Sequence, residues 1–172
     1  AGLVPNVDYT NIAPACKQSW NHTYHKINES WANSTGSGCM VTIIDTGCND
    51  EQENLGDDFN QGNSTGRSLS RLVTLPPPSG GSESPDDQCG HGTSMLGACA
   101  APRGVDGASV GIAYNCDLVS IRAAEDVYLD GSREVTGVSN AFTHAGESAT
   151  KIISMSMGRI TTSNQIKDAI KF

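Results

Sequence analysis

No stretch of this sequence approaches the roughly 20 consecutive apolar residues that an α-helical membrane span requires, so none of its segments is a helical anchor. Basic charge is scarce as well. Eleven Lys and Arg stand against 19 Asp and Glu, for a net charge of −8. A chain this acidic lacks the cationic face that a nucleic-acid groove requires, which argues against nucleic acid as a partner. Aromatic residues are only 5% of the chain. Cysteines are present, but none stands in a Cys-x-x-Cys pair, so their spacing does not point to a zinc knuckle. The sequence opens at Ala1 without an initiator Met or a signal-type apolar stretch, and we expect that a preceding segment has been removed.

What is present is a globular composition. With 172 residues, 37% of them hydrophobic, the chain can build one domain around a sizeable core. Six cysteines (Cys16, Cys39, Cys48, Cys89, Cys99, Cys116) accompany Asn-x-Ser/Thr sequons at Asn21, Asn28, Asn33 and Asn63. Together they favour a secreted or extracytoplasmic, glycosylated protein with at least one disulfide. Six cysteines allow 15 pairings, and spacing alone does not choose among them.

The apolar patterning alternates between two periods. Met40–Ile44 is a continuous, β-branched run ending in Asp45-Thr46-Gly47, the pattern of a strand buried on both faces. Arg71–Leu75, Leu118–Arg122 and Lys151–Met155 read as three further strands. Helical spacing appears over 18–31 (Trp20, Tyr24, Ile27, Trp31), over 93–101, and over 135–147, with a last helix capped by Ser163. The polar segments 49–68 and 76–88 read as loops. Strand and helix in alternation predict an α/β fold: a three-layer, doubly wound, mostly parallel sheet. The last helix reaches Phe172 without a further strand, so the sheet is expected to be incomplete in this chain.

Three segments carry chemistry. A carboxylate at the carboxyl end of a buried parallel strand, Asp45, stands where α/β folds place catalytic groups, although it also suits a turn-capping role. His91, between Gly90 and Gly92 and ahead of an apolar helix, places an imidazole at a helix start. Ile153–Gly158 is a strand running into a glycine turn. In this order, the Asp-Thr-Gly strand end, the Gly-His-Gly-Thr helix start and the Ile-Ser-Met-Ser-Met-Gly strand resemble the subtilisin-like serine proteases. Val110-Gly111-Ile112-Ala113 and the strand after it fit the same pattern, and the resemblance runs from about Gly38 to Phe172.

The resemblance implies roles. Asp45 would be the triad aspartate and His91 the general base of a Ser-His-Asp triad, and residues 1–172 the N-terminal part of a peptidase domain made as a zymogen. Ser156, Met157 and Gly158 would form one edge strand for a peptide or protein substrate, and Gly131, Ser132 and Arg133 the opposite edge. Val127, Val135 and Val138 would line a pocket further along the substrate. No Gly-Thr-Ser-x-Ala-x-Pro segment occurs, so the nucleophilic serine would come from a C-terminal remainder, and this chain alone would be inactive. Ser94, beside His91, reads as a packing residue. Cys48 and Cys89 flank the site as a candidate bridge. Calcium is the one cofactor implied, as a structural ion, and Asn54 replaces a usual acidic ligand.

Three other readings compete. Asp-Thr-Gly also occurs in aspartic proteases, an all-β class in which two such segments share a proton. A degenerate protease would keep its peptide-binding cleft without turnover. A metal hydrolase would use His22 and His25.

Overall fold

The computed structural model describes residues 20–52, 55, 66–102 and 110–171. Cys16, Asn54, the Asn63 sequon and the beginning of the helix expected over 18–31 lie outside the described residues. The four expected strands form: β1 (Met40–Asp45), β2 (Leu69–Val73), β3 (Asp117–Arg122) and β4 (Ile152–Met155). They lie in the order β2-β3-β1-β4, and every ladder is parallel. Of the helices, α1 (Trp20–Tyr24) and α2 (Ile27–Ser30) precede β1. The longer α3 (His91–Ala100) follows β2, α4 (Ser132–Glu147) follows β3, and α5 (Asn164–Lys171) follows β4.

Side chains alternate across a strand, and β1 uses both faces. Val41 and Ile43 pack with Leu118 against Leu96 and Ala100 of α3. Ile44 points the other way, joining Val119, Ile121 and α4 residues Val138 and Ala141. A sheet between two helical layers results, as the alternating pattern predicted. Burial of Val138 in this core removes it from the substrate pocket expected of it, because its side chain is fully enclosed. Ser163 caps α5 as expected: its hydroxyl accepts from the Ile166 N–H at 3.3 Å.

β4 is an edge strand. Ile152 is 53% exposed and Ile153 38%, and α5 buries none of its side chains.

The helix expected over 18–31 is interrupted. Lys26 takes a left-handed conformation (φ 56°), which ends α1 before α2 begins. The Trp31 indole N–H donates to the Ile112 carbonyl at 2.7 Å and meets Tyr114 edge-on, so tertiary contacts override the helical spacing.

Helix α4 is docked by a glycine. A Cβ added at Gly137 would stand 2.1 Å from the Ala123 carbonyl oxygen and 3.0 Å from the Leu75 Cα. The Gly137 carbonyl itself accepts from the Thr74 hydroxyl at 2.7 Å. Replacing Gly137 by alanine must push the helix off the sheet, at a cost of about 1–3 kcal/mol in urea denaturation. Unchanged stability would show that the helix can shift freely.

Candidate active site

The strand β1 delivers Asp45 to the sheet's carboxyl-end rim, where it is almost completely buried. Its Oδ1 accepts the Thr46 N–H at 2.8 Å and lies 2.8 Å from His91 Nδ1. The turn-capping contact and the contact to the imidazole thus share one oxygen. His91 is the first residue of α3, and its side chain keeps 29% of its surface exposed against 2% for Asp45. Because a carboxylate only accepts, Nδ1 is the nitrogen that carries the hydrogen toward Asp45. Among the described residues no hydroxyl is hydrogen-bonded to the other ring nitrogen.

Glycines explain how the two loops come so close. A Cβ on Gly92 would stand 2.3 Å from the Gly47 carbonyl oxygen, so the two backbones touch with no room for a side chain. Gly47 itself has φ +113°, and a Cβ there would lie 2.6 Å from the Pro85 carbonyl oxygen. Gly90 adopts the left-handed conformation (φ 86°) from which α3 starts.

A residue that the motifs did not single out organises the junction. Asp87 Oδ1 accepts the Thr46 hydroxyl (2.8 Å) and the N–H groups of Cys89 (3.0 Å) and Gly90 (2.8 Å). Its Oδ2 accepts the Thr93 N–H (2.8 Å) and hydroxyl (2.6 Å). Thr46 continues the link, its hydroxyl oxygen accepting the Gly92 N–H at 2.9 Å. One carboxylate therefore caps α3 and ties the Asp45 turn to the His91 loop. Burial alone would raise its pKa, but the bonds from Thr93, Gly90 and Thr46 prevail and hold it below the usual carboxylate range. No capping signal in the sequence marks it, because Gly90 holds the N-cap position and Asp87 reaches the helix start from four residues ahead.

Other expected site residues are placed differently. Ser132 and Arg133 are the first two residues of α4, and Gly131 is its extended N-cap, so no edge strand forms at 131–133. Arg133 instead pairs with Glu83 and Glu125, and Glu83 also meets Arg122 at 2.9 Å, which pins the 76–88 loop to β3 and α4. The extended segment is 127–129: Gly158 N–H donates to the Val127 carbonyl at 3.0 Å, and Leu129 N–H donates to the Gly158 carbonyl at 2.8 Å. Ser156 and Gly158 are exposed past the end of β4, while Met157 is half-buried against the core.

Ser94 is exposed rather than packed, its hydroxyl donating back to the Gly90 carbonyl at 2.8 Å. Cys48 is buried in the core and its thiol is pushed up to about 12, chiefly by burial, whereas Cys89 is exposed. Neither is bridged, and among the described residues no disulfide occurs. His22 is buried and His25 exposed, so the two do not converge on an ion. Among the described residues no group of three or more His, Cys, Asp or Glu is placed to hold a metal.

The Subtilase family (Peptidase_S8) matches residues 36–171. The chain is a subtilase. It is 29% identical over 150 residues to thermitase of Thermoactinomyces vulgaris, covering 84% of this chain and 46% of that protein. An intracellular serine protease of Paenibacillus polymyxa is 28% identical over 141 residues, covering 82% of this chain and 39% of the relative. This subtilase chain thus spans less than half the length of these curated relatives. Among solved structures, MycP1 with its N-terminal propeptide removed superposes with a TM-score of 0.62 at 22% identity, over 90% of this chain and 45% of that one. That likeness establishes the subtilisin-like fold. The parallel α/β sheet also removes the aspartic-protease reading, which requires an all-β framework.

Proposed function

We propose that this chain provides the aspartate and histidine of a subtilisin-type serine endopeptidase, with the nucleophilic serine on a segment outside residues 1–172. The observation that carries the reading is the 2.8 Å contact between buried Asp45 and half-exposed His91 at the sheet rim. His91 Nε2 takes the proton of the serine hydroxyl as that oxygen attacks the peptide carbonyl, then passes it to the departing amine. Asp45 holds the ring by its Nδ1–H and stabilises the imidazolium formed between the two steps. It does not itself take the proton.

The open side of β4 supports a serine-bearing partner segment. Ile152 and Ile153 are uncovered there, and Ile160 beyond the strand is 86% exposed. A further strand laid along β4 would cover that surface and bring its own carboxyl end beside His91. Ser156, Met157 and Gly158 would then border a peptide substrate. The direct pairing of Gly158 with Val127 and Leu129 anchors the end of that segment to the chain ahead of α4. Alone, the chain is inactive on this reading.

The reading is tested by treating the complete protein with a fluorophosphonate probe and digesting it. The label is expected on a serine beyond residue 172 and is lost in His91→Ala. A label on Ser94, or none on a protein that hydrolyses peptides, would defeat the proposal. No turnover but tight peptide binding would instead identify a degenerate module.

We place the protein outside the cytoplasm on the sequons, of which Asn28 and Asn33 stand exposed. No helix among the described residues is long and apolar enough to cross a membrane.

A further inference from the structure

Three thiols gather at the end of the sheet opposite the Asp45–His91 pair. Cys39 precedes β1, Cys116 precedes β3, and Cys99 lies in the last turn of α3; all three join the same core cluster. The main chain ties all three to this end of the sheet, the Asp117 N–H donating to the Cys39 carbonyl at 2.9 Å. The Ala113 N–H donates to the Cys99 carbonyl at 2.7 Å, and the Cys116 N–H donates to the Ala113 carbonyl at 2.9 Å. One guanidinium then spans both segments: Arg67 Nε donates to the Cys116 carbonyl (2.8 Å) and Nη2 to the Ala100 carbonyl (2.9 Å). Of the three, Cys99 and Cys116 interact most strongly side chain to side chain, whereas Cys39 acts on Cys99 only through space.

We infer that Cys99 and Cys116 form a disulfide in the mature protein, a staple from the end of the helix that begins at His91 to the foot of β3. The two side chains belong to one core cluster and Ala113 joins their backbones, and a disulfide requires such closeness. Cys48 and Cys89 offer no comparable pair, one being buried beneath Arg71 and the other exposed on the loop ahead of α3.

The electrostatics agree with this geometry. The hydrogen bond from Cys99 lowers Cys116 to about 7, with Arg67 helping and burial opposing. The same hydrogen bond, together with burial, pushes Cys99 well above the ordinary thiol range. Of the two thiols, Cys116 is therefore the one whose thiolate is favoured. The oxidant is a disulfide, such as oxidised glutathione or an oxidised protein dithiol. Cys99, the half-exposed sulfur, attacks it while its proton passes along the hydrogen bond to Cys116. A mixed disulfide forms and one thiolate departs. Cys116 then gives up that proton to the departed thiolate, attacks the Cys99 sulfur and expels the second thiolate, which is protonated by water. One S–S bond is made in the protein and one is broken in the oxidant, which receives two electrons.

The bond can be sought in the complete protein equilibrated in a glutathione redox buffer, so that the outcome depends neither on proteolytic activity nor on the compartment of origin. Alkylation, then digestion without reduction, is expected to yield the Cys99 and Cys116 peptides joined, with Cys48 and Cys89 alkylated. Alkylation of both Cys99 and Cys116, or a Cys39–Cys116 link, would overturn the inference. Reduction is further expected to lower Tm by about 5–10 °C in the wild type and to leave Cys99→Ala unaffected. An equal fall in that variant would also overturn it, and the peptide map of the wild type stands whether or not the variant folds.

Discussion

Replacing His91 by alanine in the complete protease is expected to lower kcat by about 10⁴–10⁶-fold while KM changes little. Asp45 holds the ring by one nitrogen and leaves the other for the proton in the proposed mechanism, and the substitution does not touch Ser156–Gly158, the segment proposed to border the substrate. Asp45→Asn should fall less far, by about 10⁴-fold. An amide at this position turns one acceptor into a donor, so the imidazole loses the partner that holds its Nδ1–H tautomer. The Thr46 N–H still needs an acceptor, and the amide oxygen can serve it. Single-turnover kinetics of the two variants measure these losses. A His91→Ala enzyme within tenfold of wild type would remove the imidazole from the chemistry.

Asp87→Ala carries the second largest effect. Five donors lose their acceptor at once: the hydroxyls of Thr46 and Thr93 and the N–H groups of Cys89, Gly90 and Thr93. Loss of a helix cap of this kind costs about 2 kcal/mol at neutral pH. Loosening the loop that carries His91 should also lower kcat by about 10–100-fold, since misplacing a catalytic group by about an ångström suffices for that. The pH dependence separates this account from general destabilisation. Asp87 titrates lower in the folded chain than the unfolded value of about 4, so its stabilisation is complete above that value. It fades as the pH falls through the lower folded value. The stability gap between wild type and Asp87→Ala should therefore close in acid, which denaturation at pH 7 and near pH 2 will measure. A gap of constant size would assign the effect to something other than the carboxylate.

Much of this architecture was legible in the residues. The β-branched run before Asp45 announced a strand buried on both faces, and α3 and α4 do cover the two sides. His91 between glycines was readable because both glycines do steric work: Gly90 supplies the left-handed turn and Gly92 lets the backbone meet Gly47. Local signals failed where distant contacts decide. The helical spacing of Trp20, Tyr24, Ile27 and Trp31 gave no hint that Lys26 would break it, because Trp31 docks on a loop 81 residues away. The resemblance implied an edge strand at Gly131-Ser132-Arg133, yet Arg133 is held by Glu83 and Glu125 from two other segments and α4 begins at Ser132. Asp87 escaped notice because four of its five bonds reach residues of its own loop and helix. Its importance lies in the fifth, to Thr46.

The backbone contact between Gly47 and Gly92 has a consequence for turnover. Alignment of the carboxylate with the ring is set by peptide planes in van der Waals contact, and does not wait on the rotamers of long side chains. The entropy lost in aligning them is therefore surrendered once, during folding, and no ordering of these two loops need accompany each encounter with a substrate.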